Sequence, residues 1–135
     1  MKSLVLCALL PAALWAQDSL VLFDFEQGPA LDTIAQRSVR ASYESVGGGR
    51  ALRIASTTRE EWPGLTLLPP AGKWDGAAFA AIEMDVANLG DQAMQVCLRV
   101  DNPGADGVKN CLTGRIELKP GESGKIGRAS CRERV

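Results

Sequence analysis

No histidine occurs among the 135 residues, which removes Ser-His-Asp and Cys-His nucleophile pairs and every His-bearing zinc site from consideration. Carboxylates, aromatic platforms and thiols are what remain for chemistry. Glu83 and Asp85 are the best-spaced carboxyl pair; two residues apart on one strand, they share a face at about 7 Å. A glycosidase needs two carboxyls about 5 Å or about 6.5–9.5 Å apart inside a cleft. The spacing passes, but an open sheet face has no wall to raise either pKa, so catalysis is not expected from this chain. Asp24 and Glu26 are candidate ligands for a structural calcium, with solvated carboxylates as the alternative. The run DNPGADG at 101–107 could hold calcium or reach a sugar hydroxyl, and is equally the composition of a turn. It lacks the alternating acids and closing Glu of an EF-hand loop.

Trp62, Trp74 and Tyr43 each lie beside a turn signal, where an aromatic ring can stack on the apolar C–H face of a sugar. Packing in the core competes for the same rings. Arg53, Gln95 and Arg99, with Glu83 and Asp85, fall on the polar sides of alternating segments and could line a hydroxyl-binding groove. The competing reading is an ordinary solvated sheet face.

The elements that must position these groups lie between two unusual ends. Residues 1–16, MKSLVLCALLPAALWA, join one charge at Lys2 to an apolar run through Leu14. That is a signal-peptide pattern, too short for a mature membrane span. Export is expected to a secreted or periplasmic, disulfide-permissive compartment, with no membrane association after cleavage behind Ala16. Residues 126–135, IGRASCRERV, resemble the translation of a common sequencing-library adapter: ATC GGA AGA GCG TCG TGT AGG GAA AGA GTG spells them residue for residue. Read-through into that adapter is the expectation for 126–135, leaving 17–125 as the domain. Within it, 11 basic face 15 acidic side chains, a net charge of −4, which suggests no nucleic-acid partner.

This stretch reads as strands and turns. Segments 20–25 (LVLFDF), 39–43, 50–55, 65–67, 82–86, 94–101 and 115–119 carry β-rich or alternating patterns, separated by Gly47-Gly48-Gly49, Trp62-Pro63-Gly64, Pro69-Pro70 and the 101–107 loop. One helical turn is expected within 32–37. Short strands with one polar face predict an all-β antiparallel sandwich. A hairpin centred on Gly104 would oppose Val96 to Leu112, Val100 to Val108 and Cys97 to Cys111. Directly opposed cysteines are within disulfide reach, and closing a loop of about 15 residues would contribute roughly 3 kcal/mol.

The stretches VLFDFEQG, GGGRALRI, EWPGLTLLPPAGKWDGAAFAAIEMDVANLG, CLRVDNPGADGVKNC and IELKPGES resemble the galactose-binding-like jelly-roll module at the N-terminus of secreted agarase-like glycoside hydrolases. The resemblance covers 20–123 and is most specific in KWD…F…IEMDVAN and LRVDNPGADG. It implies a non-catalytic carbohydrate-binding module that presents a galactan-type polysaccharide such as agarose to a (β/α)8 catalytic domain in cis. The catalytic glutamates would lie beyond this chain, so no catalytic residue carries over. A structural β-sandwich packing on the barrel without binding sugar, or a stand-alone lectin-like secreted domain, are the alternatives. In the family another strand follows Gly124; with the adapter-like tail in its place, the jelly roll is expected to be incomplete at the C-terminus, with open sheet edges.

Overall fold

A computed structural model describes residues 19–56, 61–75, 79 and 81–129; the signal-like segment 1–16 lies outside them, as do 130–135. Eight strands and one turn of 3-10 helix, Leu31–Thr33, make up its regular structure. Every strand pairing is antiparallel. The chain divides into two compact units, Met1–Trp74 and Asp75–Val135.

In the first unit β1 (Ala35–Arg37) pairs with β4 (Gly64–Thr66), and β2 (Val39–Val46) forms a hairpin with β3 (Gly49–Ser56). Gly47 and Gly48 both take positive φ, 58° and 80°, the requirement of a two-residue type I′ turn, whose twist matches the strands it joins. That turn fixes the register at Val46 opposite Gly49 and Tyr43 opposite Leu52. Gln36 Oε1 accepts from the Ala41 amide at 2.9 Å and ties β1 to β2. Among the described residues of this unit, Ile34 and Ala41 are the buried aliphatics.

Residues 20–25, expected as a strand, form none. LVLFDF has the β propensity but no partner strand. It ends instead in a turn closed by the Gln27 amide on the Asp24 carbonyl, 3.1 Å. Phe23 and Phe25 stack at 6.3 Å, and Trp74 meets Phe23 edge-on at 5.4 Å, so the aromatic side chains do the packing that a ladder would have done.

The second unit is β-sandwich-like. β5 (Ala81–Ala87) pairs with β8 (Ser123–Ala129), and β6 (Met94–Asp101) with β7 (Cys111–Leu118). Alternation puts Ile82, Met84 and Val86 on one side of β5, and Val96, Leu98 and Val100 on one side of β6. β7 lies against β8 through glycines: a Cβ on Gly114 would come within 3.1 Å of the Gly127 carbonyl oxygen, and one on Gly124 within 2.6 Å of Ile116 Cδ1. Leu118 and Ile126, each 2% exposed, fill the centre. The run after Gly124, expected to lack a strand, therefore carries one. Ile126 stands opposite Met84, and glycine at 124 and 127 allows the close approach.

The hairpin register also differs from the expected one. Cys97 stands opposite Arg115 and Cys111 opposite Asp101, four residues apart along one face, and both thiols are free. The predicted Cys97–Cys111 disulfide is not formed. The loop 102–110 is the reason, because it spends its hydrogen bonds on itself. The Asn102 amide donates to the Asn110 carbonyl at 2.8 Å, and the Ala105 amide to the Asn102 carbonyl at 3.0 Å. Asp106 Oδ1 accepts from the Val108 and Lys109 amides at 2.9 and 2.6 Å. Val108, cast as the partner of Val100, is 86% exposed. In exchange Met94 gains Leu118 and Val96 gains Ile116. A four-residue slip preserves the faces of both strands, so alternation could not choose between the registers.

Both crossovers between the two ribbons meet at Asn88, which is 0% exposed. Its Nδ2 donates to the carbonyls of Gln92 at 2.7 Å and Leu118 at 3.1 Å, and its Oδ1 accepts from the Gly90 amide at 2.9 Å. Its backbone amide and carbonyl bond to Glu122 and Gly121, both at 2.9 Å. Asn88→Ala should therefore destabilise the protein by about 2–4 kcal/mol, since each buried group left unpaired costs about 1–3 kcal/mol. Asn88→Asp, which turns an acceptor toward two carbonyls, should be at least as severe at neutral pH. Urea unfolding measures both; a loss below about 1 kcal/mol for either variant would show that the bonds are not what closes the sandwich.

Candidate functional site

The predicted sugar-binding aromatics separate cleanly. Trp62 is 67% exposed and sits between β3 and β4 with φ 59°, a left-handed conformation rare for a bulky side chain. Trp74 is half-buried and packs edge-on against Phe23. Tyr43 is half-buried on β2; its Oη donates to the Pro29 carbonyl at 2.5 Å, and one ring face carries the Arg50 guanidinium at 4.1 Å. Of the three rings, Trp62 is the one turned outward.

The polar row is divided between the two units. Arg53 belongs to the first unit and pairs with Glu44, Nη1 to Oε1, at 2.6 Å. In the second unit Arg99 forms a fork with Asp101, Nε to Oδ1 and Nη2 to Oδ2 both at 2.8 Å. The Asp101 hydrogen bond and charge hold the Arg99 pKa above its ordinary value. Gln95 Oε1 accepts from the Cys97 thiol at 3.8 Å. Lys125 Nζ lies 3.4 Å from Asp85 Oδ1 and 3.6 Å from Glu83 Oε2. Asp85, then Glu83, raise the Lys125 pKa. Both members of the spaced carboxyl pair thus face a shared ammonium on an open face. A shallow groove nearby is lined by Thr113, Gly114, Arg115 and Gly127.

The candidate calcium ligands are engaged with backbone amides. Asp24 Oδ1 accepts from the Glu26 amide and Glu26 Oε2 from the Arg50 amide, both at 3.0 Å. Asp106 caps two amides of its own loop, and those bonds, Lys109 first, hold its carboxyl below the usual range. Among the described residues no three His, Cys, Asp or Glu side chains gather as a metal site.

Sequence reasoning missed Arg50. Two glycines at the β2–β3 turn set the register, and that register places Arg50, opposite Ser45, diagonally beside Tyr43 on one face. The diagonal neighbour was the available signal.

No family model, no curated protein and no solved structure matches the chain.

Because Cys97 and Cys111 are free, iodoacetamide added to native protein without reductant should label both. Peptide mapping reads this directly. Recovery of a single cross-linked peptide containing both residues would mean that the hairpin adopts the register centred on Gly104.

Proposed function

We propose that the chain is a non-catalytic carbohydrate-binding module of galactose-binding-like jelly-roll type, exported to the cell exterior or periplasm as part of an agarase-like glycoside hydrolase. Its ligand is a galactan-type polysaccharide such as agarose, and the catalytic barrel acts in cis. The observation that carries this reading is Trp62: an indole left 67% exposed in a strained left-handed backbone conformation is poorly explained by packing. It is well explained as a platform for a pyranose ring. The paired carboxylates of β5, already shared with Lys125, leave the hydrolytic step to another domain.

A second reading draws on the exposed aliphatics Leu20, Val21, Ile54 and Leu68. They suit a structural sandwich that packs on the catalytic barrel and binds no sugar. A stand-alone lectin-like domain would use Trp62 in the same way without that packing.

Affinity electrophoresis in agarose separates these readings. The intact chain should be retarded, and Trp62→Ala should lose most of the retardation while keeping its melting temperature within about 2 °C, as expected of an exposed site. Trp74→Ala should instead destabilise the fold by about 2 kcal/mol or more. Unretarded migration of the intact protein would sink the binding reading in favour of the structural one.

A further inference from the structure

Arg50 is exposed, stacked and without an ion pair among the described residues. Its guanidinium lies over the Tyr43 ring at 4.1 Å. On Gly28 a Cβ would fall 2.6, 2.8 and 3.0 Å from Nη1, Cζ and Nη2 of the same group. The guanidinium thus sits against both the Tyr43 ring face and Gly28, with room beside it only because residue 28 has no side chain. Each wall is itself fixed. The Tyr43 hydroxyl is bonded to Pro29, Gly28 has φ 66°, where a side chain would be strained, and the Arg50 amide is held by Glu26. Yet among the described residues the Arg50 side chain makes no hydrogen bond and no ion pair, whereas Arg53 and Arg99 are both neutralised by carboxylates.

A planar cation resting on an aromatic face acts through its edge, where its N–H donors lie in a fork matched to two oxygens of one oxyanion. Arg50 is exposed, but its contacts with Tyr43 and Gly28 restrict it, so the ordering entropy that weakens most surface arginine contacts is reduced. We propose that Arg50, seated against Tyr43 and Gly28, is a binding site for an oxyanion substituent of the polysaccharide, a sulfate ester or a uronate carboxylate. This rests on the carbohydrate-binding reading and narrows it to acidic galactans. Glu26 accepts from the Arg50 backbone amide and forms no ion pair with the guanidinium. Its charge weakens a single contact, and a polymer with repeated oxyanions offsets that through multivalency.

The test uses the full chain in native gels containing neutral agarose, carrageenan as sulfated galactan, or polygalacturonate as carboxylate polymer, each normalised to a gel without polysaccharide. Retardation should be at least about threefold greater in carrageenan or polygalacturonate than in agarose, and whichever polymer gives the excess names the oxyanion. Arg50→Gln should remove the excess and leave retardation in agarose unchanged. Arg50→Lys, which keeps the charge and its stacking but loses the fork, should remove most of it. Melting curves confirm that both variants fold. Equal retardation of folded Arg50→Gln and wild type in both charged gels overturns the oxyanion site. An excess that depends on Arg50, with no retardation in agarose, upholds it and overturns the neutral-galactan reading built on Trp62.

Discussion

Asn88 is the point on which the second unit depends. A two-ribbon sandwich must pass its chain from one layer to the other twice, after β5 and after β7, and each passage removes backbone groups from a ladder. Those groups need partners if they are buried. Asn88 stands at the end of β5 and answers for both passages. Its side chain bonds the last residue of β7 and the loop leaving β5, and its backbone bonds Gly121 and Glu122 in the turn leaving β7. No other side-chain type of this size offers two donors and an acceptor, which is why a polar residue sits at full burial beside Leu118. The glycines at 114 and 124 are the other half of the same arrangement, since a Cβ at either would press on the strand of the other ribbon, on the Gly127 carbonyl and on Ile116 respectively.

The first unit solves a different problem. Its N-terminal segment has no strand to pair with, so it is held by side chains: Glu26 to the Arg50 amide, Tyr43 to the Pro29 carbonyl, and the Arg50 guanidinium against Tyr43 and Gly28. Cation–π contact and charge-assisted hydrogen bonds are each modest. Their convergence at one end of the β2–β3 hairpin makes that end rigid, and a rigid loop end is where a recognition group is best mounted.

Much of the architecture was legible because it depends on local rules. Gly47-Gly48 dictates a type I′ turn and hence the β2–β3 register. Pro120-Gly121, with the Gly121 φ at 75° and the Glu122 amide on the Lys119 carbonyl, is the pattern of a type II turn. The alternations at 82–86 and 94–101 gave β5 and β6 their faces. What escaped depends on choices between non-local alternatives. LVLFDF has strand propensity, but the chain provides no neighbour for it. Registers differing by four residues satisfy the same alternation, and loop 102–110 decided between them through Asp106 and Asn102, whose capping bonds no hydrophobic pattern records. Nothing in ANLG marks Asn88 as buried rather than as one more turn residue. Among the candidate aromatics, that Trp62 is exposed and Trp74 half-buried was not legible, because it required knowing that Phe23 would pack against Trp74.

Pairing of charge then determines where recognition can occur. Among the described residues three strand cations are committed, Arg53 to Glu44, Arg99 to Asp101, and Lys125 to Asp85 and Glu83, whereas Arg37 on β1, Arg40 on β2 and Arg115 on β7 form no ion pair. A ligand hydroxyl or anion approaching the three committed cations must compete with an ion pair, and the gain from replacing one exposed partner by another is close to zero. Among the described residues Trp62 has no ring partner and the Arg50 fork has no carboxylate, so neither is subject to that competition. Both lie at loop ends of the first unit, just outside β2, β3 and β4 or at their margins. What sets Arg50 apart from the strand arginines is therefore its seat, beside an aromatic ring face and a glycine at the end of a hairpin, which leaves its N–H edge outward without the cost of breaking an ion pair.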